Sequence, residues 1–208
     1  MMKQRGILTA TLIGLIGLGW WILAGWEHSN DRGHGMSEQT AGGSMKYEGD
    51  DARLKVEFRY PAGWRLQEER GTIEVYSEVR LLGPRNRDDT YTCTIAVRGS
   101  PAKAYGGKHE TLSDVVKNFT SHLFKEANIL SEKDRVVAGT RAKELTVSYT
   151  IPPLHLPSLQ AMEIPVKARA LFLEKEPYFY ELIYSADARE YDLHADAFEQ
   201  LIKTFRFR

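Results

Sequence analysis

Leu54, Val56, Phe58 and Tyr60 alternate with Lys55, Glu57 and Arg59, a period of two that predicts a strand with one buried face. Pro61-Ala62-Gly63 ends it: proline fixes φ, glycine admits a turn, and Trp64 brings the chain back onto the core. Ile73, Val75 and Val79 predict a second strand. Tyr91, Cys93, Ile95 and Val97, alternating with Thr92 and Thr94, predict a third, and Gly83 to Asp89 forms a charged loop between them. The period then lengthens. Leu112, Val115, Val116, Phe119 and Leu123 fall on one helical stripe, opened by Thr111 as N-cap with Asp114 three residues on, a capping box. Ala138-Gly139 marks a turn between Arg135-Val136-Val137 and a strand through Leu145, Val147 and Tyr149. A strand from Val166 to Leu173 turns at Glu174 to Pro177 into Tyr178 to Tyr184, whose two faces are both partly apolar, as in the middle of a covered sheet. A last helix spans about Glu190 to Thr204, with Phe198, Leu201, Ile202 and Phe205 as its buried stripe. Three strands, helix, three strands, helix, joined by short turns, predict an α+β sandwich with helices packed on an antiparallel sheet.

Ahead of this domain stands a different pattern. Ile7 to Ala24 is apolar on every face and free of charge. At ~1.5 Å rise per residue, roughly 20 apolar residues cross a ~30 Å hydrocarbon core, and with its flanks the run is just long enough. Lys3 and Arg5 precede it, Glu27 and Asp31 follow, and Trp20, Trp21 and Trp26 suit the outer interface. The expectation is a single-pass anchor over residues 1–26, amino terminus in the cytoplasm, with the rest periplasmic or otherwise extracytoplasmic. A cleaved secretory signal is the alternative; against it stand the length of the run and the bulky residues before Ala24-Gly25. From Trp26 the chain turns polar and rich in glycine and serine, so residues 27–50 read as a flexible linker and 51–208 as one domain.

Lys plus Arg and Asp plus Glu are each 28, a balance that gives no reason to expect nucleic acid as a partner. The single Cys93 excludes an internal disulfide and any cysteine-based zinc cluster. Candidate chemistry is thin. Gly106-Gly107-Lys108 precedes a helix, but Ala102 stands at the first glycine of a Walker loop and His109 at its Ser or Thr, so an ordinary surface turn is expected. His109-Glu110 lacks the second histidine of a zinc peptidase, and no G-x-S-x-G elbow exists. Asp192, Asp196 and Glu199, with Asp187, could be imagined around calcium, yet they lie opposite the apolar stripe, where solvated charge belongs. No catalytic residue, metal ligand or cofactor is expected.

One segment departs from the usual short polar loop. Between Ile151 and Pro165 the chain holds Pro152, Pro153 and Pro157 among Leu154, His155, Leu156, Leu159 and Met162. Proline lowers the entropy lost on docking, so Leu154, His155, Leu156, Leu159 and Met162 are the candidate partner-binding residues. A loop folded down over the sheet is the alternative.

Phe58-Arg59-Tyr60-Pro61-Ala62-Gly63-Trp64 resembles the aromatic-x-Tyr-Pro-x-Gly-Trp opening of PsbP-like domains. Tyr180-x-Leu182-x-Tyr184-x-Ala186, Tyr191, Phe198, Ile202 and Phe205 resemble their close. The resemblance covers about 51–208 and implies an α-β-α sandwich around an antiparallel sheet. It implies no reaction: such domains are binding or assembly modules, among them extrinsic photosystem subunits, a Ran-binding import factor and bacterial envelope proteins. With the anchor, it implies a membrane-anchored accessory module of the bacterial branch that docks or stabilises an envelope or membrane protein. The alternative is an extracytoplasmic module for a metal or small molecule, including an extrinsic photosystem-type subunit.

Overall fold

In the computed structural model of the chain, residues 38–40, 43–70, 76–86, 91–123, 127–151 and 163–208 are described. In chain order the elements are β1 (Glu38–Thr40), β2 (Ser44–Glu48), a 3-10 turn (Ala52–Leu54), β3 (Val56–Pro61), β4 (Arg65–Arg70), β5 (Ser77–Leu82) and β6 (Cys93–Pro101). After a second 3-10 turn (Lys103–Tyr105) come α1 (Leu112–Ser121), β7 (Asn128–Val137), β8 (Thr140–Ile151), β9 (Ile164–Lys175), β10 (Tyr178–Asp187), α2 (Tyr191–Thr204) and β11 (Arg206–Phe207). The strands form a four-stranded sheet, β1-β2-β3-β11, and a seven-stranded sheet, β4-β5-β6-β10-β9-β8-β7. Every pairing is antiparallel. The chain is therefore α+β, two helices with a large antiparallel sheet.

The large sheet is buried on both faces because its central strands alternate between two cores. On β10, Tyr180, Leu182, Tyr184 and Ala186 face α2 and the small sheet, packing with Phe58, Val97, Leu171, Phe198 and Phe205. Phe179 and Ile183 face the other way, toward α1, with Val147, Phe172, Val115 and Phe119. This is the two-faced central strand expected from Tyr178 to Tyr184. The capping box of α1 is complete: the Thr111 hydroxyl accepts from the Asp114 N–H at 3.2 Å, and the Thr111 N–H donates to the Asp114 carboxylate at 3.0 Å. Phe119 then meets Phe172 edge-on, ring centroids 5.2 Å apart. On α2 the predicted stripe holds, with Phe198, Leu201, Ile202 and the following Phe205 all buried.

Several boundaries move. The stretch expected to be linker contains two strands, and β2 pairs with β3 throughout, Tyr47 opposite Phe58. Met45 and Tyr47 turn inward onto the core while Lys46 pairs with Glu48 and Glu57 outside, so the domain begins before Asp51. Leu54 belongs to a 3-10 turn rather than to β3, though its side chain is buried as expected. Strand β4 was not foreseen: only Leu66 among its side chains joins the core. Val79 lies in β5, while Ile73 and Val75 fall outside the described residues. So does the apolar run Ile7 to Ala24; among the described residues no helix is long and apolar enough to cross a membrane.

The turn at Ala138-Gly139 has φ of 49° and 76°, both in the left-handed region, joining β7 to β8 as a two-residue hairpin. Glycine takes that conformation freely, but the alanine Cβ crowds the following carbonyl. Ala138→Asn should therefore stabilise the protein by about 0.5–1 kcal/mol, a rise of roughly 1–4 °C in Tm for a domain of this size. Thermal melting checks this, and an unchanged or lower Tm would count against strain at Ala138.

Candidate functional site

The candidate partner-binding residues Leu154, His155, Leu156, Leu159 and Met162 lie outside the described residues. Their anchorage is described: Ile151 at the end of β8 pairs with Ile164 at the start of β9, so the segment leaves and re-enters the sheet at neighbouring positions.

The Gly106-Gly107-Lys108 stretch forms a surface turn, as expected. Gly107 N–H donates to the Ala102 carbonyl at 3.0 Å, and a Cβ at Gly107 would meet the Pro101 oxygen at 1.6 Å, so the glycine is required by close backbone approach. The N-terminus of α1 already holds an anion of its own in the Asp114 carboxylate. The acidic set on α2 divides. Asp192 and Asp196 are exposed, and Asp187 is tied to Arg189. Glu199 departs from the expected solvated face, because two arginines from the sheet reach it. Among the described residues no group of three or more His, Cys, Asp or Glu converges as metal ligands. Cys93 is buried in β6, and burial pushes its thiol up to about 12.

What the fold does bring together is charge, in one cluster on each face of the large sheet. On the α2 side, Glu144 is buried in β8. Arg169 of β9 grips it with two bonds, Nε to Oε1 at 2.9 Å and Nη2 to Oε2 at 3.0 Å. Lys133 reaches the same carboxylate at 3.0 Å and Arg135 at 3.3 Å, both from β7. Arg169 Nη1 and Arg135 Nη2 then hold Glu199 of α2 at 2.6 and 3.0 Å, tying the helix to the sheet. The hydrogen bond from Arg135, reinforced by Arg169, brings the Glu199 carboxyl down to about 2. Glu144 is pushed up by burial, but its bonds to Arg169 and Lys133 outweigh that and leave it lowered.

On the α1 side, Glu78 of β5 is the buried carboxylate. Arg98 of β6 donates to it from Nε at 2.9 Å and Nη2 at 2.7 Å; Arg80 Nε lies 2.5 Å from its other oxygen and Arg80 Nη1 reaches Glu69 at 2.9 Å. The Arg98 guanidinium sits 4.5 Å over the Tyr76 ring. Glu181 of β10 is only 3.8 Å from Arg98 Nη1, and burial raises its carboxyl more than Arg98 lowers it. A raised carboxyl favours the protonated folded form, so its ionisation subtracts stability as pH rises above the ordinary value of 4.5. Glu181→Gln should therefore gain stability over the native protein between pH 5 and pH 8, the gain vanishing below pH 4. A variant whose deficit or gain is constant with pH would remove Glu181 from this role.

The residues that carry the sequence resemblance also meet. The Tyr184 hydroxyl donates to the Tyr191 carbonyl at 2.6 Å and fixes the start of α2. Phe58 and Tyr60 enter the same core as Phe198 and Phe205, and Trp64 packs edge-on to His194 of α2, centroids 6.4 Å apart. These positions do packing work. A shallow pocket beside them is lined by Asp51, Glu68, Glu69 and the buried Glu78 with Tyr47, Leu54 and Ser77, and its lining carries no basic group.

Finally, β7 is one of the two edge strands of the large sheet among the described residues, and most of its residues are exposed. Its length and solvent-facing side chains were not legible beyond Arg135 to Val137; with no buried face, the strand leaves no period of two to detect.

No family model and no curated protein sequence matches this chain. Similar solved structures include the cyanobacterial PsbP of Synechocystis sp. PCC 6803, 16% identical, with 82% of this chain and 98% of that one covered and a TM-score of 0.48. LpqN of Mycobacterium tuberculosis, a protein involved in cell envelope biogenesis, is 14% identical over 78% of this chain and 89% of its own, TM-score 0.48. A Pseudomonas aeruginosa protein of unknown function is 13% identical over 83% and 96%, TM-score 0.43. With TM-scores below 0.5, no function passes from these proteins to this chain. The PsbP-like resemblance seen in Phe58 to Trp64 and Tyr180 to Phe205 thus has a cyanobacterial PsbP among the structures similar to this chain.

Proposed function

We propose that the chain is a non-enzymatic accessory module, anchored by Ile7 to Ala24 in a bacterial inner membrane with its domain on the extracytoplasmic side, that docks or stabilises an envelope or membrane protein. The observation that carries this reading is how the charges of the domain are used. On both faces of the sheet a buried carboxylate is engaged by an arginine of a neighbouring strand, Glu144 by Arg169 and Glu78 by Arg98, so these charges join strand to strand. A domain held to a membrane on a short leash gains effective concentration toward its neighbours there. Leu154, His155, Leu156, Leu159 and Met162 are part of the proposal as docking residues.

The test is affinity capture of the full chain from detergent-solubilised membranes of its source cell. A stoichiometric membrane or envelope protein is expected; repeated recovery of none overturns the reading. Replacing Leu154, Leu156 and Leu159 with Ser separates docking from packing. Lost capture with unchanged melting supports docking by that segment, whereas a large fall in Tm assigns it to the core.

A further inference from the structure

Strand β7 is ten residues long, ends the large sheet, and exposes Ile129 (55%), Leu130 (54%) and Val136 (66%) on either side of Glu132-Lys133-Asp134-Arg135. Long edges with apolar side chains are hazardous, because their free N–H and C=O groups template another chain. The hairpin fixes which groups are free. Val137 and Thr140 close the two-residue turn, so alternation leaves the backbone N–H and C=O of Glu132, Asp134 and Val136 pointing away from β8.

The side chains divide by sign. On the α1 side, Glu132 and Asp134 of β7 share Lys143 of β8, at 3.1 Å each, and Arg141 of β8 stands opposite Val136. On the α2 side, Lys133, Arg135 and Arg169 outnumber Glu144 and Glu199, leaving it net positive. In its two longest registers a second copy of the chain matches this poorly. Antiparallel pairing of β7 with itself about a dyad centred on Glu132 sets Glu132 against its copy. Centred on Lys133, it sets Lys133 against its copy and Glu132 against Asp134. These registers overlap most of the strand, and both oppose like charges.

We infer that β7 is a docking edge for an extended segment of a different protein, added antiparallel, with bases opposite Glu132 and Asp134, acids opposite Lys133 and Arg135, and apolar residues opposite Val136 and the Ile129-Leu130 end. Backbone pairing supplies the affinity and the alternating charge supplies the register. The inference rests on the accessory-module reading and gives it a docking surface.

The probe is the eight-residue peptide Val-Glu-Lys-Glu-Lys-Thr-Val-Val, titrated against the full chain in detergent micelles, with amide exchange followed along β7. Saturable binding is expected, with slowed exchange at Glu132, Asp134 and Val136. Asp134→Pro removes one outward N–H at an edge position where proline is tolerated, and should weaken binding about tenfold or more. Reversing the charge at Glu132→Lys with Asp134→Lys should weaken it similarly and create affinity for Val-Glu-Glu-Glu-Glu-Thr-Val-Val, which the native edge rejects. No binding at millimolar peptide, binding without protection of β7, or equal binding by all variants overturns the inference, as does a homodimer protected along β7. Capture keeps the two proposals apart. A stoichiometric partner recovered equally by Asp134→Pro removes the β7 edge and leaves the module. Peptide binding to β7 with no partner captured removes the module alone.

Discussion

Glu144→Ala is expected to destabilise the protein by about 3–5 kcal/mol, the usual result of removing one partner from a buried ion cluster. Glu144 is 1% exposed and accepts from Arg169 twice, from Arg135 and from Lys133. Without it three cations converge on one side of β7, β8 and β9, with Glu199 alone to answer them. The cost comes mainly from Arg169, whose guanidinium is largely buried and cannot turn back to water. Glu144→Gln keeps an acceptor without the charge and should lose about half as much. Urea unfolding at pH 7 measures both; a loss under about 1 kcal/mol for the alanine variant would mean water already compensates the cluster. The pH dependence has a definite sign. Glu144 and Glu199 both have folded carboxyls below the ordinary 4.5, so their contribution is complete above that pH and disappears as pH falls through the folded values, about 2 for Glu199. The native protein should therefore lose stability between pH 5 and pH 2, and Glu144→Ala should lose less over the same interval.

That cluster was invisible in the sequence for a geometric reason. Arg169 pairs across the ladder with Thr146, and Glu144 with Leu171, so the two charges meet on the diagonal between β8 and β9. Glu199 lies on a helix 30 residues further along the chain than Arg169. Each charge taken alone fits a solvated face, and only strand register makes them neighbours. Core positions carry their own signal, which is why β3, β6, β10, the Thr111 capping box and the α2 stripe could be anticipated. A strand with one wet face shows a period of two; an edge strand wet on both sides shows none. Strand β7 and the greater part of β4 fall in the second class, with Arg65, Glu68 and Glu69 around a single inward Leu66. Strand β2 failed differently: Met45 and Tyr47 give only two inward positions, too few to outweigh the glycine-rich stretch before them. The docking edge proposed on β7 is thus carried by the residues with the weakest sequence pattern.

Phe198→Ala should cost about 3–5 kcal/mol, as large-to-small changes at fully buried aromatic sites do. Phe198 is inaccessible to solvent, stacks near Tyr184 with centroids 5.8 Å apart, and lies beneath Arg169, whose guanidinium carbon is 5.6 Å from its ring. Its loss opens a cavity between α2 and β10 and also removes the surface on which Arg169 rests. The packing and the ion cluster should therefore be coupled. In a double-mutant cycle, Glu144→Ala with Phe198→Ala should be less destabilised than the sum of the single changes by about 0.5–3 kcal/mol, the range found for residues sharing a partner. The reason is specific: once Phe198 is gone, Arg169 can shift toward solvent and no longer depends on Glu144 for its compensation. Urea unfolding of the four proteins at pH 7 gives the coupling directly. Additivity within the error of extrapolation would show that Arg169 is held by its carboxylates alone, and that α2 is pinned to the sheet at two independent points, the aromatic stack under Tyr184 and the bridge to Glu199.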